Sequence, residues 1–262
     1  MHILLSYAQT FFYLCATQLY IFKSTFVDKL VNLYIWVTIT LLISAYLLPQ
    51  FGITPDYGLF MIPATIASAG LFELFPRVMN LVHDFESDRV TLYQLTLPLP
   101  SWLFFAHLIL VQTIMNLLVC VCAIPLCKVI LWNQFSLSTV NWTQFATILL
   151  VGNIFYSTFA LWLTSRIKNI LVIENAWARF LYPLMSLGGF QFSWKALYAV
   201  SPTFAYVNYF NPLTHIMEAM RAALLGQAGY LAFWPSIGIL IFFSVVSAWW
   251  AFIGLQKKLD YL

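Results

Sequence analysis

Six hydrophobic runs, 30–48, 58–79, 103–127, 145–164, 170–190 and 231–255, dominate the pattern of the chain. Each is long enough to span a bilayer, since a hydrocarbon core of roughly 30 Å takes about 20 helical residues at about 1.5 Å each. Ahead of them, residues 3–24 are also apolar, but with a polar stripe at helical spacing through Ser6, Thr10, Tyr13, Thr17 and Ser24. Leu5, Ala8, Phe12, Cys15 and Leu19 fall opposite. That division predicts an amphipathic helix lying in the membrane interface rather than a seventh span. Between the fifth and sixth runs, residues 191–230 are too apolar for a solvated loop. "ALYAV", "FAYVNYF" and "NPLTHIMEAMRAALLG" read as short helices of an outward re-entrant region, a form of backbone tolerated at membrane depth when it is helical or buried in protein. The expected fold is all-α and integral to the membrane. It is a single transmembrane domain over 1–262, with spans one to five in 30–190 and a cytoplasmic loop at 81–101.

Composition supports that class. The chain is 62% hydrophobic, 18% aromatic and only 8% charged, with mean hydropathy +0.86. A soluble domain of this size needs far more charge on its surface. The net charge of +3 is small and gives no footing for a nucleic-acid partner. Its distribution is informative through the excess of Lys and Arg in cytoplasmic loops. With six spans and a cytoplasmic N-terminus, Lys23, Lys29, Arg77, Arg89, Arg166, Lys168, Lys257 and Lys258 lie inside, against Lys128, Lys195 and Arg221 outside. Both termini are therefore expected in the cytoplasm. The N-terminal stretch lacks the basic flank and cleavage pattern of a signal peptide. The cysteines Cys15, Cys120, Cys122 and Cys127 form no C-x-x-C pair and read as free thiols.

Polar residues in so apolar a chain are the candidate chemistry. The first cytoplasmic loop carries His83, Asp84, Glu86, Asp88 and Arg89, the densest charge cluster in the protein. Its "ESDRVTLYQL" predicts a short helix ending before Pro98 and Pro100. In "NPLTHIMEAMRAALLG", Asn211 is a good N-cap, Pro212 suits the first helical position and Gly226 suits the end. Leu213, Met217, Met220 and Leu224 share one stripe; Thr214, Glu218 and Arg221 share the other, with His215 beside it. Glu218 and Arg221, three apart, are within pairing reach. A metal site would need further ligands and a catalytic site a base or nucleophile; neither is legible, so an amphipathic helix with an ion pair is expected, with no metal.

In the fifth run, Glu174 sits about one turn in and Arg179 about 14 Å in. An arginine at that depth costs about 2.5–3.5 kcal/mol to insert, so it should face protein, water or an anion. Two readings stay open: a strut (paired with Glu174, or snorkelling) or a contact to an anionic substrate group. "MSLGGFQ" superficially resembles the signature loop of ABC ATPases, but it ends a membrane run and no G-x-x-x-x-G-K-[ST] occurs in the chain. Gly188 and Gly189 there are expected to permit close helix approach or to break the span. His107, Gln112 and Asn116 read as polar contacts between helices.

The order of these features resembles the permease subunits of type-2 ABC exporters, a family that includes O-antigen, capsule, teichoic-acid, nodulation-factor and drug exporters. The resemblance covers nearly the whole chain. It rests on the N-terminal amphipathic helix and on an acidic loop ending "TLYQLTLPLPSW". It also rests on Pro183, Gly188 and Gly189 before the outward region, and on Asn211-Pro212 followed by Arg221 and Gly226. Val90 departs from the glycine usual in the loop, which affects the expected local turn. The resemblance implies the membrane half of an ATP-driven exporter in the bacterial cytoplasmic (inner) membrane. It implies a second permease subunit, identical or similar, and two copies of an ABC ATPase that bind ATP and Mg, with no cofactor in this chain. Residues Asp84, Phe85, Glu86, Ser87, Asp88, Arg89, Val90, Thr91 and Leu92 would form the ATPase coupling segment. Asn211, Pro212, His215, Glu218, Arg221 and Gly226 would belong to an outer gate helix, and Glu174 and Arg179 to the substrate pathway. Substrates would be amphipathic: lipid-linked glycans, glycolipids or hydrophobic drugs. Two rival readings are a lipid-modifying membrane enzyme using His215, Glu218 and Arg221, and a non-transporting membrane subunit of an assembly or signalling complex.

Overall fold

The computed structural model of the protein describes residues 2–167, 169 and 172–260. Among them there is helix and loop but no strand.

The first helix, α1 (His2–Leu42), runs without a break for 41 residues and passes through a π-turn at Ile43–Leu47 into a single 3-10 turn. Two elements were expected here, an interfacial helix over 3–24 and a span over 30–48; the structure joins them. The physical reason is plain in the sequence. No Gly or Pro occurs before Pro49. The polar residues do not interrupt the helix, because Thr17 and Ser24 donate to the carbonyls of Tyr13 and Ile21 one turn back. At about 1.5 Å per residue α1 is about 60 Å long, twice a bilayer core.

Four further long helices follow: α2 (Tyr57–His83), α4 (Ser101–Ile130), α5 (Trp142–Arg166) and α11 (Phe233–Asp260), with the short α3 (Val90–Leu95) between α2 and α4. With α1 they make five helices long and apolar enough to cross a membrane among the described residues. The fifth predicted run, 170–190, is less regular than expected. Among its described residues Ile173–Leu187 is helical, as α6 (Ile173–Ala176), a π-turn at Trp177–Leu181 and α7 (Tyr182–Leu187). That stretch nevertheless passes along the bundle. It follows Ile167, whose carbonyl accepts from Lys258 at the end of α11. Trp177 packs on Phe75 of α2 and Phe180 on Phe159 of α5.

The stretch 191–230 forms the short helices expected of it: α8 (Trp194–Val200), α9 (Pro202–Asn208) and α10 (Pro212–Leu225). Ser193, Ser201 and Asn211 cap their N-termini by accepting from backbone N–H groups two or three residues on, and α9 and α10 start with proline.

One large apolar core joins α2, α4, α5, α10 and the inner faces of α1 and α11. A smaller one gathers Leu14, Leu81, Phe85, Phe104, Leu161 and Leu255 where α2, α5 and α11 end and α4 begins. Polar side chains inside the bundle bond locally. Tyr156 donates to the carbonyl of Ala67, Thr113 to Ser157, and Gln112 to Asn116. His107 lies against the carbonyl of Phe104 and reaches Gln18 of α1 at 3.4 Å. His107 thus has the interhelical role read from the sequence, whereas Gln112 and Asn116, both of α4, bond each other within one helix.

Candidate functional site

Two regions collect the residues singled out in the sequence. The first is the turn from α2 to α3. Glu86 and Asp88 do not open the short helix; they extend α2 through a π-turn at Asp84–Asp88. The chain reverses at Arg89, whose φ of 54° makes it the positive-φ non-glycine residue of the described backbone. The left-handed residue is therefore Arg89, and Val90 is the first residue of α3, so the missing glycine at Val90 causes no strain. Both oxygens of Asp84 accept from the start of α3, from Val90 N at 2.8 Å and Thr91 N at 2.9 Å. Phe85 is buried in the smaller core, under the ammonium of Lys258 at 5.1 Å. Thr91 is buried and Leu92 half-buried, whereas Glu86, Ser87, Asp88, Arg89 and Val90 are exposed. The residues expected to form the coupling segment thus divide into a mount (half-buried Asp84, buried Phe85 and Thr91) and a charged tip that projects from it. His83 lies 4.0 Å from Asp88 beside the tip.

The second region is α10. The spacing in its sequence predicts one apolar and one polar face, with Glu218 and Arg221 within pairing reach. The two do pair, and both faces are buried, every residue from Pro212 to Leu224 included. The reason is that neighbouring loops fold over the polar face and bond to it. Glu218 accepts from the backbone N–H of Trp194 at 3.1 Å and of Leu231 at 3.0 Å. Arg221 donates to Glu218 at 3.2 Å, to the carbonyls of Gly189 at 2.6 Å, Phe190 at 3.0 Å and Phe192 at 3.2 Å, and stacks on Phe60 of α2 at 4.0 Å. One ion pair therefore pins the segment after α7 and the segment before α11 to the same helix. Burial pushes the Glu218 carboxyl up from its ordinary value and the Arg221 guanidinium down; their attraction for each other and the backbone hydrogen bonds of Glu218 act the other way.

The remaining α10 residues complete the clamp. Asn211 accepts from Leu213 N at 3.0 Å and donates to the carbonyl of Leu184 in α7 at 2.8 Å. His215 is wedged between the carbonyl of Tyr209 at 2.8 Å and Ser236 of α11 at 3.3 Å. Gly188 lies so close to Leu213 that a Cβ would come within 2.7 Å of its side chain, and Gly189 adopts φ +80°, turning its carbonyl toward Arg221. The paired glycines thus serve both roles expected of them, close approach and the end of a helix. Gly226 ends α10 at φ 98°.

Arg179 is exposed on the π-turn between α6 and α7. The side chain of Glu174 lies outside the described residues, and with it the pairing with Arg179 that was one of the open readings. Among the described residues no group of three or more His, Cys, Asp and Glu side chains could hold a metal. The cysteines are free thiols, Cys120 and Cys127 buried.

Sequence reasoning used Lys29 and Arg77 only for topology and passed over Glu73. In the structure Lys29 of α1 pairs with Glu73 of α2, and Arg77 stands one turn further along α2. The signal was available: two charges four residues apart inside an apolar span.

The clamp on α10, the mounted turn after α2 and five helices long and apolar enough to cross a membrane are the features of a multi-pass membrane protein, and its sequence holds no G-x-x-x-x-G-K-[ST]. The sequence matches the ABC-2 type transporter family over residues 22–225, and the chain belongs to that family. It is a permease domain, which carries no nucleotide site, so ATP use falls to a partner ATPase. No curated protein and no solved structure gives a significant match.

Proposed function

We propose that the chain is the membrane half of an ATP-driven exporter for an amphipathic substrate: a lipid-linked glycan, a glycolipid or a hydrophobic drug. Two copies, or this chain and a similar one, would enclose the pathway and bind two ATPase subunits carrying ATP and Mg. The stretch Ile173–Leu187 supplies a sixth crossing, supported by its course from the Lys258 end of the bundle to the Arg221 end. Six crossings and the Lys and Arg distribution favour both termini on the cytoplasmic side of a bacterial inner membrane. The first half of α1 then lies at or beyond the interface, and α8, α9 and α10 form the outer gate. Arg179, exposed on a single copy, faces the pathway.

The observation that carries the reading is the α2–α3 turn: a charged tip, Glu86 to Val90, on a mount fixed by Phe85 and by the Asp84 cap. Such a lever can transmit ATPase movement into α2. Glu86→Lys with Asp88→Lys should abolish co-purification with the ATPase and its stimulated ATP turnover, leaving the permease folded. Unchanged binding and turnover in that variant would refute the coupling role.

A further inference from the structure

Between α1, α2, α3 and α4, at the Asp84 end of the bundle, lies a cavity of about 310 Å³. It is at the lower end of the size range of ligand sites, enough for a headgroup. Its charged lining is Lys29, Glu73, Arg77 and Asp84. Three of these four are already committed. Lys29 and Glu73 pair with each other, and Asp84 accepts from Val90 and Thr91. Arg77 is different: it lies in the field of the Asp84 carboxylate, but its Nη2 is buried and has no hydrogen-bond partner. A buried guanidinium nitrogen without an acceptor is uncommon and calls for an explanation. Gln18, which also lines the cavity, leaves its Oε1 unpartnered.

We infer that this cavity binds the phosphate-bearing headgroup of a membrane lipid, with Arg77 on the phosphate. The planar guanidinium fits phosphate oxygens in a way a point charge does not. Gln18 Oε1 offers an acceptor to a headgroup hydroxyl or ammonium. The lipid origin of the phosphate follows from the mouth of the cavity. Ile21 lines it and is 59% exposed on the outer side of α1, beside exposed Tyr20. Acyl chains attached to a seated headgroup would leave past Ile21 along that apolar face. Because Thr91 and Gln94 of α3 form another wall, the lipid would brace α3 against α1 and α2.

The inference does not depend on export and is tested on the full chain alone. Protein in maltoside micelles is titrated with dihexanoyl phosphatidic acid, with dihexanoylglycerol, which has the same tails and no phosphate, and with inorganic phosphate. Thermal unfolding midpoint and phosphorus-31 line broadening are read. Phosphatidic acid should raise the midpoint and broaden, with affinity at least about 10-fold above either control. Arg77→Gln should lose about 10-fold or more, and Arg77→Lys should recover part of it. Ile21→Trp, at an exposed position that folding tolerates, should block the mouth and weaken the lipid alone. Dihexanoylglycerol binding equally would mean an apolar cleft and overturn the phosphate; inorganic phosphate binding equally would overturn the lipid. If Arg77→Gln does not fold, parent-like phosphatidic acid affinity in Ile21→Trp overturns the inference.

Discussion

Arg221 Nη1 lies 3.2 Å from Glu218 Oε1 with neither side chain exposed to any extent, and each member of the pair also bonds to the backbone of another segment. A buried pair of this kind is poor evidence of net stabilisation, but breaking it is costly, because the partner left behind is a buried charge. Here the loss is larger in scope, since two loops lose their anchor together.

Glu218→Gln and Arg221→Met should each destabilise the protein by about 3–5 kcal/mol. The double variant should cost clearly less than their sum, because it leaves no lone charge. It will not return to parent stability, since the carbonyls of Gly189, Phe190 and Phe192 still lose their donor. Unfolding midpoints of the four proteins in one detergent check this; strict additivity would deny the coupling.

Asp84→Ala should remove the cap of α3 at a cost of about 0.5–2 kcal/mol. The effect should be local. Hydrogen exchange should accelerate at Val90 and Thr91, whose N–H groups lose their acceptors, and not in α10. This separates Asp84, a structural mount, from Glu86 and Asp88 at the tip.

Gly188→Ala should cost about 1–3 kcal/mol by overpacking, since the new methyl meets the Cβ of Leu213 at 2.7 Å and the carbonyl of Leu184 at 2.8 Å. Trimming Leu213 as well should not restore stability, because the backbone carbonyl stays. A parent-like midpoint for Gly188→Ala would show that α7 and α10 can separate freely.

Arg179→Leu should leave stability within about 0.5 kcal/mol of the parent, as expected of an exposed side chain. Transport in vesicles carrying the ATPase should nevertheless fall. Normal transport with normal stability would leave Arg179 neither strut nor pathway contact.

Acidification should weaken the clamp on α10 through His215. Burial holds its imidazole below the ordinary value of 6.5, against the raising effect of the hydrogen bond to Tyr209. The unfolded chain then takes up a proton that the folded one refuses, so stability falls as pH drops below about 6.5. His215→Gln should flatten that part of the unfolding-midpoint profile, and an unchanged slope would remove His215 from the account.

How much of this was legible beforehand can be judged residue by residue. The sequence by itself determined the class of fold: apolar runs of bilayer length, caps at Asn211-Pro212, stops at Gly188 and Gly226, and the pairing distance of Glu218 and Arg221 are all local properties of helices. Family membership was legible for the same reason, since it rests on the order of such features. What only the tertiary structure decided was which polar groups end up facing one another. Periodicity gave α10 a polar face carrying Glu218 and Arg221, but backbone 13 to 32 residues away in sequence closes over it and uses that pair as its anchor. The stripe in residues 3–24 suggested a separate element, yet nothing there breaks a helix, so propagation carried α1 straight through. Glu73 and Arg77 are four apart in the sequence, but that Glu73 pairs with Lys29 and Arg77 lines the cavity was decided only across the packed bundle. Local hydrogen bonding and hydrophobic run length are written in consecutive residues; the desolvation of a charge and the group that compensates it depend on the whole fold.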